Sequence, residues 1–142
     1  MIRAVLDCNV VVTAALSAGK CADLLSRVRR RDGFELVWSA AIVAECLRVI
    51  EYPKLAGKFR TDPRLLVERA MSSAHMVATD LLPAVDVEKT DRSDNVYLAT
   101  ALAGGARWVV SRNTRHLKPL DGYAGLQIVS PAVFLAELDA QA

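Results

Sequence analysis

Residue types that mark common active sites are scarce in this chain. It has two histidines, His75 and His116, and three cysteines, Cys8, Cys21 and Cys46. Neither histidine lies in a Cys/His ligand pattern, and the cysteine spacing fits no zinc site. An odd number of thiols in apolar surroundings argues for reduced, buried side chains, not a disulfide framework. No serine occupies a nucleophile elbow, and the lone Gly104-Gly105 pair ends a helical run without forming a phosphate loop. Triad chemistry and nucleotide cradling therefore find no support. The start lacks a basic stretch leading into a long apolar core and a cleavage site. No uninterrupted apolar stretch approaches the roughly 20 residues of a membrane span. No leader and no membrane segment are expected, and the setting expected is cytoplasmic.

The 142 residues suit a single domain spanning 1–142. At 53% hydrophobic and 24% charged, the chain has the means to bury a core and no reason for wholesale disorder. Its net charge of +2 is too small to advertise nucleic-acid binding. The distribution says more. Arg27, Arg29, Arg30 and Arg31 form one cluster, expected as a solvated helix end. Arg107, Arg112, Arg115 and Lys118 form another.

Apolar runs predict strands at residues 2–6, 34–38, 75–79, 107–110 and 126–129. Helical spacing predicts a short helix over 10–17 and longer ones over 20–31, 40–51, 63–74, 93–103 and 131–139. Gly33 is expected to stop the 20–31 helix, and Ser39 to cap the 40–51 helix. Asp62-Pro63 and Ser130-Pro131 read as helix starts. Strands alternating with helices predict a three-layer α/β/α fold with a central, mostly parallel five-stranded sheet.

Acids fall where such a fold brings its chain to one rim. Asp7 follows the first strand, at the carboxyl edge where open α/β sheets build sites. Read as extended chain, Asp7 and Asn9 point to one side, although both also suit a turn. Glu45 lies on a mostly apolar face with Ala41, Ile42 and Val49, where a carboxylate is costly without a partner. Asp91 and Asp94 open a helix, where acids are also favoured by the dipole. Ser111, Arg112 and Asn113 follow the fourth strand, suited to holding phosphate or to plain turn chemistry. Carboxylates gathered at one edge repel each other, and a divalent cation removes that repulsion.

The ordered set resembles a PIN-domain ribonuclease, in particular the VapC-like toxins of bacterial toxin–antitoxin systems. It consists of Val5-Leu6-Asp7-Cys8-Asn9-Val10, Ser39 through Glu45, Asp91-Arg92-Ser93-Asp94-Asn95, and Gly104 through Ser111. The resemblance implies a metal-dependent endoribonuclease, with Asp7, Glu45 and Asp94 as catalytic acids and metal ligands and Asp91 contributing. It implies Mg²⁺ or Mn²⁺, which take oxygen ligands. Asn9, Ser111 and Asn113 would hold the ligands or bind weakly, and Arg112 and Arg115 would hold RNA. The family commonly has an aspartate after the fourth strand where this chain has Asn113, which brings no charge. A cognate antitoxin and a homodimer are the partners implied. Two other readings remain open: a non-catalytic PIN-like scaffold for RNA or protein, and an aspartyl-nucleophile phosphatase using Asp7 with Thr13 downstream. Asn9 stands where the phosphatase would need its general acid.

Overall fold

A computed structural model describes residues 1–78, 80, 82, 83, 85, 92–113 and 121–141, with the side chains of residues 92–94 outside that set. Its elements, in chain order, are β1 (Ile2–Leu6), α1 (Cys8–Leu16), α2 (Lys20–Arg30), β2 (Phe34–Ser39) and α3 (Ala40–Val49). Then follow α4 (Pro63–Ser73), β3 (His75–Val77), α5 (Arg92–Ala103), β4 (Trp108–Val110), β5 (Gln127–Val129) and α6 (Pro131–Ala140). Single 3₁₀ turns occur at Pro53–Leu55 and Tyr123–Gly125.

The five strands form one sheet in the order β3-β2-β1-β4-β5, and all four pairings are parallel. Central β1 is apolar because it is covered on both faces; Ala4, Val5 and Leu6 are fully buried. Ala4 pairs with Leu36 on one side and Trp108 on the other. The chain first builds outward from β1 to β3, then returns across the sheet to β4 and β5. Right-handed crossovers in opposite directions place α5 on the face opposite α1–α4, giving the three-layer α/β/α arrangement.

Trp38, Tyr97, Phe34 and Phe134 are the largest fully enclosed side chains. Phe34 and Phe134 meet edge to face at 5.1 Å, which docks α6 on β2. The Trp38 indole donates to the Leu6 carbonyl at 2.9 Å. Among the described residues, no buried side-chain polar atom lacks a partner, as a well-packed interior requires.

Several local expectations need correction. Helix α1 begins at Cys8, so Asp7 is its N-cap and Asn9 is helical, not extended. Arg31, at φ 52°, takes the left-handed position closing α2, and Gly33 follows at φ 90°. Ser39 occupies the N-cap position of α3 but makes no side-chain cap bond. Its hydroxyl instead pairs with the Thr100 hydroxyl at 3.0 Å, joining β2 to α5 inside the core. Other starts hold: Asp62 caps α4 by accepting from the Arg64 and Leu65 amides, and Ser130 caps α6 through the Val133 amide. Gly104 closes α5 where a Cβ would run into the Val37 side chain. The arginine cluster of α2 is surface: Arg27 pairs with Asp139 at 2.8 Å, while Arg29, Arg30 and Arg31 are exposed.

Candidate metal and phosphate site

The strand order reverses between β1 and β4, the place where open α/β sheets leave a crevice beyond their carboxyl ends. Asp7 follows β1 and Ser111 follows β4, so the two meet there. The Asp7 amide donates to the Val110 carbonyl at 2.9 Å, continuing the sheet ladder by one bond. The Ser111 hydroxyl then donates to Asp7 Oδ2 at 2.7 Å. Asp7 Oδ1 accepts a long bond of 3.4 Å from the Asn9 amide. The carboxylate is thus both helix cap and rim group. Asp7 is only 8% exposed, yet its donors among the described residues are all neutral. Burying such a charge without a cation is costly.

Asn9 joins the same network although its backbone is helical. Its side-chain amide donates to Ser111 Oγ at 3.2 Å, and its Oδ1 accepts from the Arg112 amide at 3.1 Å. The Asn113 amide donates to Ser111 Oγ at 3.0 Å. The main chain of residue 113 thereby steadies Ser111 whatever its side chain. The Arg112 guanidinium donates to Thr13 Oγ1 at 2.8 Å. Thr13 is therefore engaged by Arg112, and both ends of the Asn9 amide hold the β4 loop.

Glu45 reaches this rim from α3 and is half-buried. The Tyr97 hydroxyl donates to Glu45 Oε2 at 2.9 Å and accepts from the Cys8 amide at 3.4 Å. Burial pushes the Tyr97 phenol far above its ordinary range, and the nearby Asp7, Cys8 and Glu45 groups push it further. One phenol thus feels both carboxylates. The Cys46 thiol is also driven up, first by its hydrogen bond with Cys8, then by burial and by the charges of Glu45 and Asp7.

Tyr97 is the residue that sequence reasoning missed. Its signal was a phenol hydroxyl within the apolar run of α5, since a buried tyrosine needs a partner for that group. Asp94 lies in the first turn of α5, but its side chain is outside the described residues, as are Asp91 and Arg115. Among the described residues, no three His, Cys, Asp or Glu side chains form a cluster able to hold a metal. The structure brings together Asp7, Asn9, Ser111, Arg112 and the Asn113 backbone, and ties Glu45 to them through Tyr97. The available donor atoms are oxygens, the kind a hard divalent cation takes.

All three free thiols are buried, and no single helix among the described residues is long and apolar enough to cross a membrane. No curated protein matches the chain. Among solved structures, the chain is similar to PAE2754 from Pyrobaculum aerophilum, at 16% identity and a TM-score of 0.62, covering 98% of this chain and 90% of that one. It is also similar to VapBC2 from Rickettsia felis, solved bound to a DNA fragment from their promoter. That likeness has 14% identity and a TM-score of 0.57, covering 91% of this chain and 98% of that one. Both likenesses concern the fold. The family model for the PIN domain matches residues 3–115, a span that holds Asp7, Glu45, Asp94 and Ser111, and the chain belongs to the PIN-domain family.

Proposed function

We propose that the protein is a cytoplasmic, metal-dependent endoribonuclease, the toxin component of a bacterial toxin–antitoxin system. The observation that carries this reading is Asp7: a carboxylate 8% exposed, at the switch point of the sheet, whose donors among the described residues are neutral. Asp7 and Glu45 would hold Mg²⁺ or Mn²⁺, with Asp94 and Asp91 completing the ligands from the start of α5. Such an ion supplies Lewis acidity, which neutralises charge on a phosphodiester and makes water a better nucleophile at neutral pH.

The chain's own groups do the positioning. Ser111 fixes the Asp7 carboxylate by donating to Oδ2. Tyr97 holds Glu45 from within the core. Asn9 fastens the Arg112 backbone, and Thr13 fixes its guanidinium, leaving an exposed cation beside the rim. A guanidinium there suits backbone phosphate. Arg115 is proposed as a second such contact. Single-stranded or looped RNA suits an open rim better than a duplex. Membership of the PIN family and the fold shared with VapBC2 support an antitoxin partner, which would cover the rim; the toxin would also pair with itself.

The test is cleavage of structured and unstructured RNA by purified protein with Mg²⁺, Mn²⁺ or EDTA, comparing wild type with Asp7→Asn and Asp94→Asn. Metal-dependent cleavage lost in both variants is expected. Cleavage that survives EDTA and both substitutions ends the proposal. RNA binding without cleavage, unchanged by Asp7→Asn, would return the protein to the scaffold reading that Asn113 suggests.

A further inference from the structure

Beyond the rim lies a cleft of about 350 Å³, the scale of a small-ligand site. Its lining includes Thr13, Ser17, Lys20, Cys21, Arg112 and Ser130. Arg112 links it to the rim: its backbone is held by Asn9, and its guanidinium by Thr13, four residues and about 6 Å further along α1. Two cations face the cleft, and no carboxylate is among its described lining residues. Neither Arg112 nor Lys20 makes an ion pair among the described residues. The Arg112 charge extends to the far wall: the Cys21 thiol is raised by burial and drawn partly back by that guanidinium. The hydroxyls of Thr13, Ser17 and Ser130 stand among apolar groups, as in a site for a phosphate and its sugar.

We propose that this cleft binds the backbone phosphate of an RNA nucleotide flanking the cut, with Arg112 and Lys20 as counter-charges. The proposal rests on the nuclease reading and adds to it the path of the strand. RNA leaving the Asp7 rim passes over Arg112 and crosses the α1–α2 connection beside Lys20. Non-ionic donors and two point charges hold the backbone without reading bases, so the cleft gives affinity and register, not sequence preference.

The experiment is binding of a fluorescent single-stranded oligoribonucleotide, by anisotropy across a salt series in EDTA. Lys20 and Ser17 are both exposed, so their variants test charge without threatening the fold. Lys20→Gln is expected to weaken binding about 3- to 10-fold and to lower the salt slope by roughly 0.7, one phosphate contact on a single strand. Ser17→Glu, which places a negative charge in the cleft, is expected to weaken it by more than about tenfold. Arg29→Gln, on another face, should change neither quantity. With metal present, Lys20→Gln should raise KM and leave kcat in place.

Unchanged affinity and slope in both cleft variants, with cleavage intact, would overturn the cleft and leave the nuclease reading standing. A slope that depends on Lys20 in a protein that never cuts RNA would do the reverse. Absence of RNA binding by the wild type would overturn both. Polyglutamate displacing RNA at lower concentration than unlabelled RNA does would overturn the cleft alone, since it would then be a protein-binding surface.

Discussion

The two ends of the same strands handle charge in opposite ways. At the amino end, Arg3 of β1 meets Glu35 of β2 at 3.1 Å, cation to anion, both partly in water. Arg3 also donates to the Gly104 carbonyl at 2.8 Å. At the carboxyl end, Asp7 is nearly enclosed and, among the described residues, accepts from a serine hydroxyl and an amide. The first end is balanced and its ion pair is weak. At the second, no ion pair to the carboxylate occurs among the described residues. A protein selected for stability alone would place its buried carboxylate beside a guanidinium, or replace it with a neutral group. The imbalance is what the proposed site at this end would use.

Substitution at each end puts this contrast at risk. Asp7→Asn should cost cleavage on the order of 10³-fold, the scale of losing one strong charge-stabilising group from a site. In metal-free buffer its melting temperature should equal or exceed wild type, because an unpaired buried charge has gone. A large loss of stability would show that Asp7 is structural and would remove the contrast. Ser111→Ala should lower activity roughly 10- to 100-fold, as expected for a group that orients a ligand. Its stability cost should be about 1–3 kcal/mol, for a carboxylate losing a buried donor. Both follow from RNA cleavage assays paired with urea unfolding.

Tyr97→Phe sharpens the comparison through pH. Burial, with Asp7, Cys8 and Glu45, raises the folded phenol above its ordinary value of 10.0. The native state therefore keeps a proton that the unfolded state releases above about pH 10. Stability from this group is complete below that pH and falls as pH rises beyond it, by up to about 1.4 kcal/mol per pH unit. Unfolding in EDTA from pH 8 to 11 should show that decline in wild type and a shallower one in Tyr97→Phe. Equal slopes would mean the phenol is not enclosed with the acids. The smallest effect belongs to the amino end: Glu35→Gln should change stability by no more than about 1 kcal/mol and leave cleavage unaltered.

The fold was legible wherever burial wrote an uninterrupted pattern. Residues 2–6 and 107–110 are apolar enough to announce central strands, and Leu24, Leu25 and Val28 announce the inner face of α2. The start of α1 was not legible, because Asp7-Cys8-Asn9 serves equally as a strand end or a helix cap. Only contact with β4 decides between them. Ser39 misled for a related reason: its cap position was right, but a hydroxyl buried on Thr100 is decided by a partner 61 residues away. Position alone singled out Asp7 and Glu45, while the side chains of Asp91 and Asp94 lie outside the described residues. Ser111 could be singled out by its place after the fourth strand, but Tyr97 could not, since it acquires its role only when α5 brings its hydroxyl to Glu45 and the Cys8 amide.

The bond from Ser111 to Asp7 spans 104 positions of sequence. Since β1 lies at the centre of the sheet and receives β4 late, a nascent chain emerging from the ribosome carries Asp7 long before it has the neighbour that orients it. Products terminated before β4 therefore hold Asp7 at the rim without the hydroxyl that fixes its carboxylate.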